Sequence, residues 1–237
     1  MSDLTLSLLG RKPAKGAKCW KSKMAKVARL LVREYGTPTL GNFHDPVKEI
    51  FYIVLSAKTT ETLYQQAFRQ LWKRFRTLDA ISKGSLRDIR KCVASAGLGG
   101  KRSKQIKAIA TKLIADFGSR ASARLRKMSA EDAYCYLRSL PGVGPKSALC
   151  IMMYSLDFDV FPVDAHVQRV MSRLGAIAYN SKHYTAQNLL PKYAPSKLSY
   201  ALHVGLIEHG RRVCKSQRPA CEDCIMQSLC NFQRRTD

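Results

Sequence analysis

Acidic residues are scarce in this chain of 237 residues, and long apolar runs are missing from it. No uninterrupted apolar stretch approaches the ~18 residues that cross a membrane, so we expect no transmembrane helix. The apolar stretch at residues 4–9 is too short for the core of a secretory leader, and we expect none. With 14 glycines and 9 prolines, the composition excludes collagen-like and low-complexity proteins.

Basic residues, by contrast, are abundant and clustered. The chain has 41 Lys and Arg against 17 Asp and Glu, a formal net charge of +24. Residues 69–107 contain twelve basic and two acidic side chains, and residues 1–33 contain nine and one. An evenly solvated basic surface would not be clustered in this way. The charge therefore indicates a polyanionic partner, and nucleic acid is favoured over an anionic membrane.

The hydrophobic pattern is helical almost throughout. Because no stretch alternates as a strand would, the predicted fold class is all-α, with one large domain or two small ones. Residues 46–57 are apolar on most faces, which predicts a buried helix. Ser103 is predicted to cap another helix, and residues 1–21 to form a flexible basic arm. The other predicted helices cover residues 22–35, 61–75, 85–95, 130–139, 146–156, 165–174 and 197–209.

Four of the eight cysteines crowd together near the C-terminus, as Cys214, Cys221, Cys224 and Cys230. Four thiolates this close indicate a metal centre in a reducing compartment. A structural zinc site typically uses two close pairs, and here only Cys221 and Cys224 form such a pair. A 4Fe–4S cluster accepts uneven loops between its ligands. The spacing therefore favours the cluster, with zinc as the alternative.

A glycine-containing connector, LPGVGPKSA, occupies residues 140–148. Gly142 and Gly144 permit a tight turn and a close approach by a phosphate group. The helix that starts after them offers free amides at the positive end of its dipole. This combination suits a clamp on a DNA backbone, which holds DNA without reading its sequence. The alternative is a plain connection between two helices.

Two charged residues in this region are candidates for catalysis. Lys146 lies in a first helical turn, where the dipole disfavours its charged form and makes the amine a better nucleophile. The alternative is a surface lysine that touches phosphate. Asp164 precedes a helix, where it can cap the helix and also face developing positive charge. His166 is more suited to packing or backbone contact than to catalysis.

Taken together, these elements resemble the endonuclease III family of helix-hairpin-helix DNA glycosylases. LPGVGPKSA is similar to the family's hairpin with its lysine, and VDAH at residues 163–166 to the segment that carries its aspartate. C-x6-C-x2-C-x5-C is similar to the family's cluster spacing, and residues 43–57 resemble its early barrel helix. The resemblance extends from about residue 22 to residue 232.

The resemblance implies a two-domain helix-hairpin-helix DNA glycosylase fold. A six-helix barrel would be formed by residues 43–156, and an iron–sulfur cluster domain by residues 22–42 and 157–237. Lys146 would be the nucleophile and Asp164 its catalytic partner, and the four cysteines would hold a 4Fe–4S cluster. Lys58 stands where the family often has a glutamine that fills the gap left by a flipped base. The implied DNA contacts are Lys58, Leu98, Leu140, Gly142, Val143, Gly144 and His166.

The function implied is that of a bifunctional glycosylase and abasic-site lyase in base excision repair, acting on oxidised pyrimidines. Its partner would be duplex DNA with a damaged base or an abasic site. The protein would bind this DNA as a monomer and would not associate with a membrane. The implied localisation is cytoplasmic and nucleoid-associated in a bacterium, or nuclear in a eukaryote. The alternatives are a mismatch or modified-base glycosylase and a non-catalytic DNA-binding module. Lys146 and Asp164 discriminate against the last, since a clamp needs neither.

Overall fold

A computed structural model describes residues 17–232, which form two compact units. The inserted unit spans residues 42–158, and the terminal unit consists of residues 17–41 and 159–232. Both are helical, and no residue from 17 to 232 lies in a strand, which confirms the all-α class. Within this part of the chain, no helix is long and apolar enough to cross a membrane.

Twelve α-helices follow one another in the described residues: α1 (Ala17–Tyr35), α2 (Pro46–Ser56), α3 (Glu61–Phe75), α4 (Leu78–Lys83), α5 (Leu86–Val93), α6 (Gly99–Phe117), α7 (Ala121–Arg126), α8 (Ala130–Arg138), α9 (Pro145–Ser155), α10 (Ala165–Arg173), α11 (His183–Leu189) and α12 (Ser199–Arg212). The hydrophobic pattern missed α4, α7 and α11. Each has only six or seven residues, too few for a helical period to show. The inserted unit thus has helices beyond the six expected, and the barrel arrangement stays a prediction.

Three predicted helix limits are wrong. The expected arm at residues 1–21 overlaps α1, because Trp20 stacks on Tyr193 with ring centroids 5.7 Å apart and extends the helix to Ala17. Residues 1–16 of that arm lie outside the described part of the chain. Ser103 is not a cap but lies inside α6, where its hydroxyl donates to the carbonyl of Gly100. Helix α12 continues through Gly210, which serves close packing rather than termination.

The core of the inserted unit is built around α2. Nine of the eleven residues of α2 are buried, as its apolar sequence predicted. Phe51 is fully buried, which contributes about 1.5–3 kcal/mol from its side chain alone. On α3, Ala67, Leu71 and Phe75 face this core, whereas Leu63 is 40% exposed. The core therefore does not reach the start of α3.

The terminal unit has its own core, to which α1, α10 and α12 contribute. Gly205 on α12 lies directly against α1, and a Cβ atom there would be 2.8 Å from the Cβ of Leu31. Any side chain at this position would push the two helices apart. Asp164 begins α10, and the cysteine-rich segment follows α12. This core therefore holds both functional segments of the unit.

Candidate active site

The glycine connector forms a tight hairpin between α8 and α9. The amide of Val143 donates to the carbonyl of Leu140 at 3.1 Å. Gly142 has φ +83°, a left-handed conformation that favours glycine. Nη1 of Arg138 donates to the carbonyl of Val143 at 2.7 Å and ties the hairpin to the end of α8. These bonds fix the shape of the turn before α9 begins.

The hairpin residues divide into an inner and an outer set. Leu140 and Val143 are only 2% and 3% exposed, so their side chains support the turn from inside. Gly142 is exposed and Gly144 half-buried. Gly144 makes no side-chain cap for α9, which leaves the first turn of the helix open to an anion. Of the four predicted hairpin contacts, only the two glycines thus present their backbone to solvent.

Lys146 is the second residue of α9 and is half-buried. The helix dipole disfavours an ammonium at this position. The Glu49 carboxyl on α2 opposes this effect of the dipole, because it interacts electrostatically with Lys146. Glu49 is fully buried and was missed in the sequence. A carboxylate within the apolar segment PVKEIFYIVLSA was the signal that could have revealed it.

Two exposed loops of the inserted unit carry Lys58 and Leu98, two of the predicted DNA contacts. Lys58, after α2, has φ +55° and is exposed. Leu98, before α6, has φ +53° and is 63% exposed, although an apolar side chain of this size is normally buried. Left-handed conformations are strained for residues other than glycine and need support from their surroundings.

Arg102 supplies that support, and sequence reasoning missed it because it lies within a long basic run. Its side chain is 2% exposed. Nε donates to the carbonyl of Gly97 at 2.8 Å, and Nη1 donates to the carbonyls of Val54 and Leu55 at 2.8 and 2.7 Å. Nη2 donates to the carbonyl of Ala57. One guanidinium thus ties the end of α2 to the loop before α6.

We expect Arg102→Met to lower the free energy of unfolding by about 3 kcal/mol, because buried carbonyls lose a charged donor. Amide hydrogen exchange should also accelerate at Lys58 and Leu98. Lys104→Met is the matched control, since Lys104 lies on the same helix and is exposed. It should change the stability by less than about 0.5 kcal/mol. Equal urea midpoints for the two variants would show that Arg102 does not hold the loops.

Asp164, in the terminal unit, is the N-cap of α10. Its Oδ1 accepts from the amide of Val167 at 2.8 Å, which confirms the capping interpretation. The residue is half-buried.

His166 packs on α12, where a Cβ atom on Gly210 would be 3.0 Å from that of His166. Burial lowers the pKa of His166, and its Nδ1 lies 3.0 Å from Nη2 of Arg169, so the ring is suited to a neutral, positioning role.

The four clustered cysteines lie after α12 as half-buried free thiols. Nη1 of Arg173 lies 3.2 Å from Sγ of Cys214, and Sγ of Cys230 donates to the carbonyl of Arg173 at 3.5 Å. The pKa of the Cys224 thiol is raised to about 11 by burial and by the nearby charges of the other three cysteines. Within residues 17–232, however, no three His, Cys, Asp or Glu side chains are arranged closely enough to hold a metal ion.

The chemistry of this segment nevertheless suits an iron–sulfur cluster. All four candidate ligands are sulfur, and their charges act on one another. Arg173 is 5% exposed, and its Nε has no hydrogen-bond partner within the described structure. A buried donor of this kind is costly unless an acceptor is supplied. A cluster held by the four cysteines would supply sulfur acceptors to this side chain, whose Nη1 already lies 3.2 Å from Sγ of Cys214.

Comparisons with known proteins identify the family of this chain. Residues 51–195 match the family described as HhH-GPD superfamily base excision DNA repair protein. Endonuclease III of Thermotoga maritima is 28% identical over 210 residues, which cover 89% of this chain and 93% of that protein. Endonuclease III of Buchnera aphidicola subsp. Baizongia pistaciae is 31% identical over 181 residues, or 76% of this chain and 80% of that protein.

A solved structure shows the same fold. It is described as a trapped endonuclease III–DNA covalent intermediate in an estranged-adenine complex. Its TM-score is 0.79 at 23% identity, with 92% of this chain and 99% of that chain covered.

The helical fold and its hairpin thus define a base excision repair DNA glycosylase of the helix-hairpin-helix class. Within that class, the chain belongs to the endonuclease III family. Its enzyme class is DNA glycosylase with abasic-site lyase activity, and DNA is its substrate polymer. Proteins of the endonuclease III family generally contain an iron–sulfur cluster.

Proposed function

We propose that Lys146 supplies the amine for both base removal and strand cleavage in a bifunctional mechanism. The observation that supports this proposal is the position of Lys146 in the first turn of α9. This turn follows directly after a hairpin whose glycines expose their backbone to solvent. The amine attacks the anomeric carbon of the sugar, and the base leaves with the electrons of the glycosidic bond and takes up a proton. The bond from this carbon to the ring oxygen then breaks, which opens the sugar and gives a Schiff base. β-Elimination then breaks the bond to the 3′ phosphate. A solved relative of the same fold is a trapped covalent intermediate with DNA, which supports this route.

Asp164 is proposed as the electrostatic partner of this reaction. A carboxylate stabilises the positive charge that develops on the sugar as the base departs. Its capping bond to Val167 leaves a carboxylate oriented by the helix rather than by a flexible loop. The two roles are therefore compatible.

The proposed substrate is an oxidised pyrimidine in duplex DNA, flipped out of the stack and replaced by residues of the two exposed loops. The test is a panel of duplexes with oxidised pyrimidines, oxidised purines, a thymine opposite guanine, and an abasic site. Base release and strand nicking are measured separately in single-turnover reactions without added metal. We expect the enzyme to release oxidised pyrimidine bases and to nick the same strand. We also expect it to act as a monomer. Activity only on the mismatch would instead favour a mismatch glycosylase, and activity on no duplex would favour a DNA-binding module.

Cys214, Cys221, Cys224 and Cys230 are proposed to ligate a 4Fe–4S cluster. When bound, the cluster would cross-link this segment and hold its basic residues in place. The four thiols would take up the arrangement of cluster ligands only when the cluster binds, because metal binding and folding are coupled in metalloproteins.

We expect the purified protein to be brown, with broad absorption in the blue and about four irons and four sulfides per chain. Cys224→Ser should lose the colour and bind less iron, because a thiolate ligand is removed. Cys135→Ser is the control, since Cys135 is exposed and lies in the inserted unit. Iron and zinc are quantified in both proteins and in the unaltered enzyme. A colourless enzyme with one zinc per chain would assign the site to zinc.

A further inference from the structure

Glu49 is a buried carboxyl group in the first turn of the apolar helix α2. Its side chain is completely inaccessible to solvent, and no other Asp or Glu in the described residues is buried to this degree. Burying a carboxylate is costly unless it is hydrogen-bonded and paired with a cation. The position therefore calls for a specific set of partners.

Two neutral donors fix the orientation of this carboxyl group. Nδ2 of Asn42 donates to Oε1, and the amide of Phe43 donates to Oε2 at 2.8 Å. Burial is the largest influence on Glu49 and raises its pKa to about 7, against the lowering effects of these two bonds and of Lys146. Burial outweighs these two donors, and the cation that lowers the pKa of Glu49 beside them is the ammonium of Lys146 on α9.

The other cations on and around α2 have contacts of their own. Helix α2 packs against α3, α6, α7 and α9. Helix α2 itself carries Lys48, whose ammonium lies 5.6 Å from the ring centroid of Trp72, and Tyr52. The charged or titratable groups on the helices around it are Glu61 and Tyr64 on α3, Arg102 on α6, Arg126 on α7, and Lys146, Cys150 and Tyr154 on α9. Arg102 binds the last carbonyls of α2, and Arg126 binds the carbonyl of His44. Among these described groups, Lys146 is the cation that acts on Glu49.

We propose that Glu49 is a positioning residue for Lys146: its buried carboxylate holds the ammonium at the start of α9 and sets the pH at which the amine becomes a nucleophile. The proposal rests on the proposed function of Lys146. The carboxylate and the helix dipole act in opposite directions, because the carboxylate stabilises the charged lysine and the dipole destabilises it. As the pH rises and Glu49 ionises, the lysine holds its proton more tightly.

Removal of the Glu49 carboxylate should make Lys146 nucleophilic at lower pH. In Glu49→Gln the ammonium loses its carboxylate, so the pKa of the Lys146 amine falls and more of the nucleophilic form is present near neutral pH. On preformed abasic-site DNA, the acidic limb of the pH profile for borohydride trapping should therefore move to lower pH by about one unit. Glu131→Gln is the matched control, because it removes a carboxylate from α8 of the same unit. Its profile should coincide with that of the unaltered enzyme.

A second readout makes the test independent of catalysis. Reductive methylation with ¹³C-formaldehyde labels the lysine amines, and the Lys146 signal is assigned by its absence in Lys146→Gln. Its NMR titration should shift to lower pH in Glu49→Gln and stay unchanged in Glu131→Gln. If Glu49→Gln does not fold, Asn42→Ala serves instead. Loss of its donor makes Glu49 easier to protonate, so we expect a smaller shift in the same direction.

The outcomes separate the two proposals. An unaltered enzyme that traps no DNA at any pH would overturn the role of Lys146, while the NMR titration would still decide whether Glu49 acts on it. An unchanged titration in folded Glu49→Gln or Asn42→Ala would overturn the role of Glu49. A lower melting temperature with an unchanged pH profile would likewise assign Glu49 to folding alone.

Discussion

Lys146→Gln is expected to abolish both borohydride trapping and strand nicking while DNA binding persists. The substitution keeps a side chain of similar length but removes the amine, without which no imine can form. The exposed backbone of Gly142 and the uncapped start of α9 do not depend on the lysine, so the clamp on the DNA backbone remains. Trapping is measured on lesion-containing and abasic-site duplexes, and binding by fluorescence anisotropy at a fixed salt concentration.

Lys127→Gln is the control for loss of a positive charge, since Lys127 is an exposed residue at the end of α7. It should be trapped as efficiently as the unaltered protein. Persisting trapping in Lys146→Gln would remove Lys146 from the mechanism. Lys58, exposed on the loop after α2, would then be the next amine to test.

Asp164→Asn is expected to slow single-turnover base release by about 10²-fold or more, as when a positioned electrostatic group is lost. Asparagine is about as good an N-cap as aspartate, so the helix should lose little stability. The charge and the cap are thereby separated in one variant. Rate and melting temperature are measured on the same sample.

Two further variants complete this comparison. Asp164→Ser also keeps a good cap and removes the charge, so its rate should fall as in Asp164→Asn. Ser85→Ala removes the cap of α5, whose hydroxyl accepts from the amide of Asp88. It should cost about 1 kcal/mol of stability without slowing base release. A near-normal rate per folded molecule in both Asp164 variants would reduce Asp164 to a structural cap.

Features whose contacts lie within a few residues were predictable from the sequence. Ser129 caps α8 by accepting from the amide of Asp132 at 3.1 Å, and Asp164 caps α10 in the same way. The Gly142 turn, the buried helix α2 and the all-α class follow equally local or periodic patterns. The joint pattern of hairpin, aspartate segment and cysteine spacing also identified the family. The catalytic roles drawn from it stay predictions.

The sequence by itself thus determined the class of fold, the family and the segments that carry the candidate chemistry. Only the tertiary structure decided which charged residues are buried and what they face. Arg102 is one of twelve basic residues in residues 69–107, yet it alone among them is buried, and it binds a carbonyl 45 residues away. The pKa of Glu49 is lowered by Lys146, which lies on a different helix. Burial and electrostatic field depend on neighbours that folding brings together across the chain, and no local pattern records them.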